Sequence, residues 1–248
     1  LALGGWRTAM SVTAAACLTL GLVWALMREL CTAPQTAQTQ KNQAAKLNWQ
    51  FFRRGRLFYF MGVACLTGMI RDGLTSWAPV YFSEEFSLNA TLSLILSAVL
   101  PAAKILALAV HPAVQKKIPK TRMQLIVFYA GCAAAACIVL LANLAGWTLA
   151  AAGFMAVMLC LMVCTDLSFT ISIPIQFGSV GRSATVSGIL DCMLYLGAAI
   201  SSYLFALLAQ WGGWTATIVS WIVIPLIAIG ILLSRKNLEP ETAEKSHL

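Results

Sequence analysis

Charged side chains are scarce in this sequence. Only 10% of the 248 residues are Asp, Glu, Lys or Arg, whereas 60% are hydrophobic. Soluble domains contain about 25% charged residues, so this chain has too few charges to cover a water-soluble surface. The net charge of +8 comes from basic residues that lie between long apolar runs. This pattern indicates a lipid bilayer as the partner and argues against nucleic acid.

Histidine is also scarce, and cysteine spacings typical of metal sites are absent. The two histidines, His111 and His247, are both placed at the ends of apolar runs, and none of the eight cysteines forms a Cys-x-x-Cys or Cys-x-x-His pair. We therefore expect no metal site and no cofactor. The missing catalytic pairs also argue against a membrane-embedded enzyme.

Seven apolar stretches are long enough to cross a hydrocarbon core of about 30 Å as α-helices. They are Trp6–Met27, Leu57–Phe82, Thr91–Val110, Met123–Asn143, Thr148–Ser172, Ala184–Gln210 and Thr215–Leu233. A backbone in lipid must satisfy its own hydrogen bonds, and strand-like alternation is absent. The sequence therefore predicts an all-α membrane protein with seven transmembrane helices, in which the internal prolines are tolerated as kinks.

The basic residues also predict the orientation of the chain in the membrane. All of the 17 Lys and Arg residues except Arg7, Arg71 and Lys104 lie in alternate connections. The opposite connections carry Arg7 and the acidic pair Glu84 and Glu85. Because basic loops stay in the cytoplasm, we expect an outside N-terminal end and a cytoplasmic C-terminus. The protein is then multi-pass in a cell membrane, with a bacterial cytoplasmic membrane as the expected location.

The spans divide the chain into four parts. Residues 1–29 form one helix, residues 30–56 a polar cytoplasmic linker, residues 57–233 a six-helix bundle and residues 234–248 a cytoplasmic tail. The linker is rich in Gln, Ala and Thr, which is typical of a flexible connection. Because the chain begins with Leu1 at the edge of an apolar run, we expect it to be a fragment of a longer protein.

Five ionisable side chains lie inside the predicted spans, where each costs at least a few kcal/mol. They are Arg71, Asp72, Lys104, Asp166 and Asp191. The helical rise places Lys104, Asp166 and Asp191 in one layer on the cytoplasmic side of the bilayer centre. A pair of Lys104 with Asp166 or Asp191 would stabilise them there. Structural pairing and proton coupling are equally compatible with this pattern, and either role requires a shared polar cavity.

Arg71 lies near the middle of the second span and is the best candidate for binding solute. Its guanidinium cannot carry protons, but its fork fits a carboxylate or a phosphate. Asp72 is the alternative partner, although adjacent helical residues point about 100° apart and make a poor pair. We also expect Trp77 and Tyr81, toward the outer end of this span, to act as a gate or as interfacial anchors.

The segment IRDGLTSWAPVYFSEEF, Ile70–Phe86, resembles the seventh helix of major facilitator superfamily transporters. Within that superfamily it is most similar to the organophosphate:phosphate antiporter branch. The matching residues are Arg71, Gly73, Trp77, Pro79 and Tyr81. Two other segments, Gly4–Arg7 and Ile173–Ser201, are similar to the start of the sixth helix and to the turn between the tenth and eleventh helices.

The resemblance implies that the chain comprises helices six to twelve of a carrier that works by alternating access. Its missing partner is the N-terminal bundle of the same protein, and its cargo is a small organic anion. In the branch this is a phosphate ester exchanged for phosphate, which Arg71 would grip. Lys104, Asp166 and Asp191 depart from the branch pattern; Lys104 and Asp166 are candidate solute ligands. The alternatives are a proton-coupled symporter or drug exporter that uses Asp166 and Asp191, and a membrane sensor that does not transport.

Overall fold

A computed structural model of the chain describes residues 5–30, 57–178 and 183–234, and every regular element in these ranges is a helix. The α-helices are α1 (Gly5–Leu30), α2 (Leu57–Glu85), α3 (Ala90–Ser97), α4 (Val99–Lys117), α5 (Thr121–Leu144), α6 (Thr148–Leu167), α7 (Ile173–Gln176) and α8 (Ser183–Ser234). A π-helical segment, Ser168–Ser172, joins α6 to α7. The prediction of an all-α membrane protein is therefore confirmed for the described ranges.

The chain separates into two units, Leu1–Asn48 and Trp49–Leu248. The first unit contains α1, whose stretch Met10–Met27 is apolar and long enough to cross a membrane. The second unit contains α2 to α8, whose buried side chains form a hydrophobic core. Most of the predicted linker and nearly all of the predicted tail lie outside the described residues, so the division into four parts stays a prediction.

The last helix, α8, contains two of the predicted spans. Gly213 interrupts it with φ 68° and ψ −173°, a conformation that glycine adopts without a steric penalty. Just beyond it, the Trp214 indole donates a hydrogen bond of 3.0 Å to Glu84 at the end of α2. Ser234, at the far end of α8, shares a groove with Phe58 at the start of α2. The second limb, 214–234, therefore runs antiparallel to α2.

The first limb of α8, residues 183–212, runs in the same direction as α2 and contacts it backbone to backbone. A Cβ atom on Gly68 would collide with the carbonyl oxygen of Leu194, and one on Gly197 with the carbonyl oxygen of Cys65. Membrane helices often associate through small residues that let their backbones approach. Gly68 and Gly197 therefore serve close helix packing, whereas a Cβ atom on Gly188 would meet open space.

The third predicted span, Thr91–Val110, is longer and less regular than expected. The helix is interrupted at Ala98, between α3 and α4. In a continuous helix the ring of Pro101 would clash with the carbonyl group one turn earlier. Helix α4 then continues through Pro112 to Lys117. His111, expected at the end of an apolar run, therefore lies inside a helix and is only 5% exposed.

Candidate functional site

Arg71 lies in the middle of α2 and takes part in both ion pairs found between residues that the structure describes. Its Nη2 and Nε donate hydrogen bonds to the two carboxylate oxygens of Asp72, at 2.7 and 3.2 Å. Its Nη1 lies 2.8 Å from Oδ2 of Asp166 on α6. One guanidinium thus connects two carboxylates and two helices through charge-assisted contacts.

The pairing of Arg71 with Asp72 corrects the sequence argument that neighbouring helical residues diverge too far to pair. The divergence of about 100° applies to the Cα–Cβ directions, whereas the arginine side chain is long enough for its fork to turn back to the adjacent carboxylate. The pair does not occupy Arg71 completely, because Nη1 still reaches Asp166. Arg71 therefore binds carboxylates already, through the same donors that a solute anion would use.

Two residues of α8 complete this group. The guanidinium carbon of Arg71 lies 5.7 Å from the centre of the Tyr195 ring, within the range of a cation–π contact. Asp191, one turn earlier, interacts electrostatically with Asp166. We call Arg71, Asp72, Asp166, Asp191 and Tyr195 the arginine cluster. It joins Arg71 to Asp166 and Asp191, two of the three residues that the sequence predicted to share one layer.

The arginine cluster is partly open and carries excess negative charge. The side chains of Arg71, Asp166 and Asp72 are 11%, 18% and 30% exposed. Oδ1 of Asp166 is buried, and no described residue donates a hydrogen bond to it. One guanidinium faces three carboxylates, so the cluster has a formal charge of −2 when all four groups are ionised. A buried carboxylate oxygen without a donor is costly, and this atom is therefore suited to receive a proton or a donor group.

Lys104 is not part of the arginine cluster. Three contacts fix the register of α4 against α6 and the π-helical segment that follows it. They join Ala107 to Cys164, His111 to Ser168 and Gln115 to Ser172. This register places Lys104 level with Leu161, five residues or about 7.5 Å along the axis from Asp166. Among the described residues no ion pair joins Lys104 to Asp166 or Asp191. The prediction that Lys104 lies level with Asp166 is therefore wrong, and Arg71 rather than Lys104 is the partner of Asp166.

The outer aromatic residues differ from one another in their surroundings. Tyr81 is fully buried and donates a hydrogen bond of 2.7 Å to Asn143 at the end of α5, so it does not anchor the helix at the lipid interface. Trp77 is partly exposed, and its ring centre lies 6.4 Å from that of Trp214. The gating role expected for both residues stays a prediction.

The sequence argument missed a second polar group between α4 and the end of α6. His111 Nε2 lies 3.1 Å from Ser168 Oγ, and the Gln115 amide donates a longer hydrogen bond of 3.5 Å to Ser172. His111 and Gln115 are four residues apart, and so are Ser168 and Ser172, as side chains on one helical face are. The spacing of His111 and Gln115 is a signal in the sequence, but the predicted span ends at Val110 and leaves both residues outside the helix.

The arginine cluster and the membrane-length helices together define a class of protein. Charged side chains that converge between apolar, membrane-length helices are typical of a membrane transport protein. The sequence matches the family model of the Major Facilitator Superfamily over residues 1–189, and the chain belongs to this superfamily. Its members are transporters rather than enzymes. No curated protein and no solved structure shows significant similarity to the chain.

Proposed function

We propose that this chain forms part of a secondary transporter that moves a small organic anion by alternating access. The observation that carries this proposal is that Arg71 lies mid-helix and partly exposed while its donors are held by carboxylates. A carboxylate or phosphate of the solute has the geometry to take the place of Asp72 or Asp166. A second bundle of the same protein, formed by helices outside this chain, would provide the opposite wall of the site.

The two aspartates act as internal competitors for Arg71. In the empty site they satisfy the guanidinium, which removes the cost of leaving it unpaired in the membrane. A solute anion binds only by displacing one of them, so solute binding and the release of a carboxylate are coupled. Lys104 lies about 7.5 Å from Asp166 along the helix axis, toward the N-terminal end of α6. We propose it as a second positive charge for the incoming anion.

The finer proposal is exchange of a phosphate ester for phosphate, as in the organophosphate:phosphate antiporter branch. It rests on Arg71, Gly73, Trp77, Pro79 and Tyr81, which match the seventh-helix pattern of that branch. Gly73 also serves packing in this chain, since a Cβ atom there would collide with the ring of Phe205.

A proton-coupled carrier is the second candidate, and the excess of carboxylates favours it. When a solute displaces Asp166 from Arg71, the carboxylate loses its counter-ion next to Asp72 and Asp191. Binding of a proton removes this penalty. The same carboxylates would also serve a proton-coupled exporter of cationic compounds. In that case the transported solute is a cation and no solute anion binds Arg71.

The orientation and location remain part of the proposal. Basic residues in alternate connections favour an N-terminal end outside and a C-terminal end in the cytoplasm. Glu84 and Glu85 then lie at the outer end of α2, near the turn at Gly213. We propose a bacterial cytoplasmic membrane as the location.

Uptake into membrane vesicles from cells that express the gene for this chain separates the candidates. The probes are labelled inorganic phosphate and glycerol 3-phosphate, and vesicles from cells with an empty vector are the control. For exchange, we expect glycerol phosphate to enter only when the vesicles are loaded with phosphate. For proton coupling, entry instead requires an acidic outside and no internal phosphate.

Two other outcomes would contradict anion transport. Binding of either probe without accumulation under any gradient would identify a sensor. Absence of binding and uptake of both probes, together with proton-driven efflux of a cationic dye, would identify an exporter.

A further inference from the structure

A cavity of about 330 Å³ lies between α4 and the end of α6, outside the arginine cluster. His111, Gln115 and Ser172 contribute its polar groups, and aliphatic side chains line most of the rest. His111 is nearly buried, and the ring of Phe128 lies 6.3 Å from its imidazole. The solute site proposed above uses none of these side chains, so the cavity requires its own explanation.

The hydrogen bonds around Ser168 indicate which nitrogen of His111 carries the proton. We assign the single hydroxyl proton of Ser168 to the carbonyl oxygen of Cys164, at 3.1 Å, as is usual for a serine inside a helix. With this assignment the serine oxygen accepts from Nε2 in the contact of 3.1 Å with His111. A neutral imidazole with a proton on Nε2 has a lone pair on Nδ1. No described residue donates a hydrogen bond to Nδ1.

Ser168 and Ser172 lie on one face of the chain, directed toward α4. They begin and end the π-helical segment, and they contact His111 and Gln115 respectively. Asp166, two residues before Ser168, lies on another face, because residues two apart in a helix do not face each other. Single π-turns inside α-helices occur frequently at functional sites. The polar face is therefore directed toward α4, next to the cavity.

We propose that this cavity is a second solute subsite that binds a hydrogen-bond donor, a hydroxyl or an N–H group, on Nδ1 of His111. This inference rests on the proposed function, because it assumes that the chain carries a solute. It adds that the solute has an uncharged donor group as well as its anionic group. The aliphatic lining disfavours a second charge and suits the carbon skeleton that carries such a donor.

The tautomer and the ligand contact are measured by NMR on the purified chain with ¹⁵N-labelled histidine in lipid nanodiscs. The sequence contains only two histidines, so the variant His111→Gln assigns the spectrum. We expect a proton on Nε2 of His111. Glycerol 3-phosphate and glycerol should shift the Nδ1 resonance, whereas propyl phosphate, which has the same charge but no hydroxyl group, should not.

A proton on Nδ1 would overturn the proposal, and so would equal shifts with propyl phosphate or no shift with either hydroxylated probe. The probes also separate this proposal from the anion site. If glycerol shifts Nδ1 but neither phosphate ester binds to the protein, the proposed anion transport fails and the subsite stands. If the esters bind but no hydroxyl group affects Nδ1, the subsite fails and the anion site stands.

Two variants distinguish a ligand contact from a structural one in uptake assays. His111→Gln keeps an amide donor near the Nε2 position, and His111→Asn keeps an amide oxygen near the Nδ1 position. Loss of one net hydrogen bond corresponds to about fivefold in affinity. We therefore expect His111→Gln to raise the KM for glycerol phosphate about fivefold without affecting propyl phosphate, and His111→Asn to retain the discrimination. A larger loss in His111→Asn for both esters alike would show that His111 only holds Ser168.

Discussion

Replacing Gly68 with alanine is expected to destabilise the bundle severely, although alanine is the better helix former. The added methyl group would collide with the carbonyl oxygen of Leu194 on α8, and a backbone atom cannot rotate away as a side chain does. Overpacking of this kind costs about 1–3 kcal/mol and more when the backbone must move. Thermal unfolding of the detergent-purified protein, followed by tryptophan fluorescence, measures the effect.

A second glycine on the same helix provides the matched control. Gly62 has open space around its Cα, so Gly62→Ala should leave the midpoint unchanged or raise it, since alanine gains about 1 kcal/mol in helix propensity. The pair Gly197→Ala and Gly188→Ala repeats the comparison on α8. Equal midpoints for Gly68→Ala and Gly62→Ala would show that α2 and α8 do not touch through their backbones.

Arg71→Lys is expected to abolish most anion uptake. Lysine keeps the charge but replaces a planar fork by a point charge, so it cannot hold Asp72 through two donors and still reach Asp166. Loss of hydrogen bonds to a charged group costs about 1.5–3 kcal/mol, which corresponds to a rise in KM of about tenfold to a hundredfold. Initial rates of phosphate and glycerol phosphate uptake in vesicles give this number.

Arg122→Lys is the control for the same chemical change at another place. Arg122 donates a hydrogen bond of 2.8 Å to the carbonyl oxygen of Leu232 at the end of α8. Its replacement should lower the thermal midpoint slightly and leave the KM for anions unchanged. Wild-type KM in Arg71→Lys, or an equal increase in both variants, would remove Arg71 from the solute site.

The fold could be predicted largely from composition and the lengths of the apolar runs. Helices of membrane length follow from the need to satisfy backbone hydrogen bonds in lipid, and the turn at Gly213 lies in the short interval predicted between the last two spans. The helix α4 extends beyond the predicted end of the span at Val110, since it continues through Pro112 to Lys117. A membrane helix tolerates such a proline.

Both the depth and the membership of the site were hard to predict. Residue counting placed Asp166 level with Lys104 and Arg71 nearer the bilayer centre, and it did not give the rotation of each helix about its own axis. That rotation depends on contacts such as the one between Gly68 and Leu194, which join residues far apart in sequence. The partner of Asp166 was therefore predicted to be Lys104, whereas Arg71 occupies that place. The position of His111 could not be predicted for a simpler reason, because the helix extends past the apolar run that ends at Val110.

The most direct test of this account is the affinity of the purified protein for an anion after removal of an internal competitor. Isothermal titration with inorganic phosphate and glycerol 3-phosphate would compare the wild type with Asp166→Asn, which keeps the side-chain shape and removes the charge. If the solute and Asp166 compete for Arg71, the Kd for at least one of these anions should fall about tenfold, equivalent to about 1.4 kcal/mol. An unchanged or higher Kd, or no binding of either anion, would contradict an anion site at Arg71.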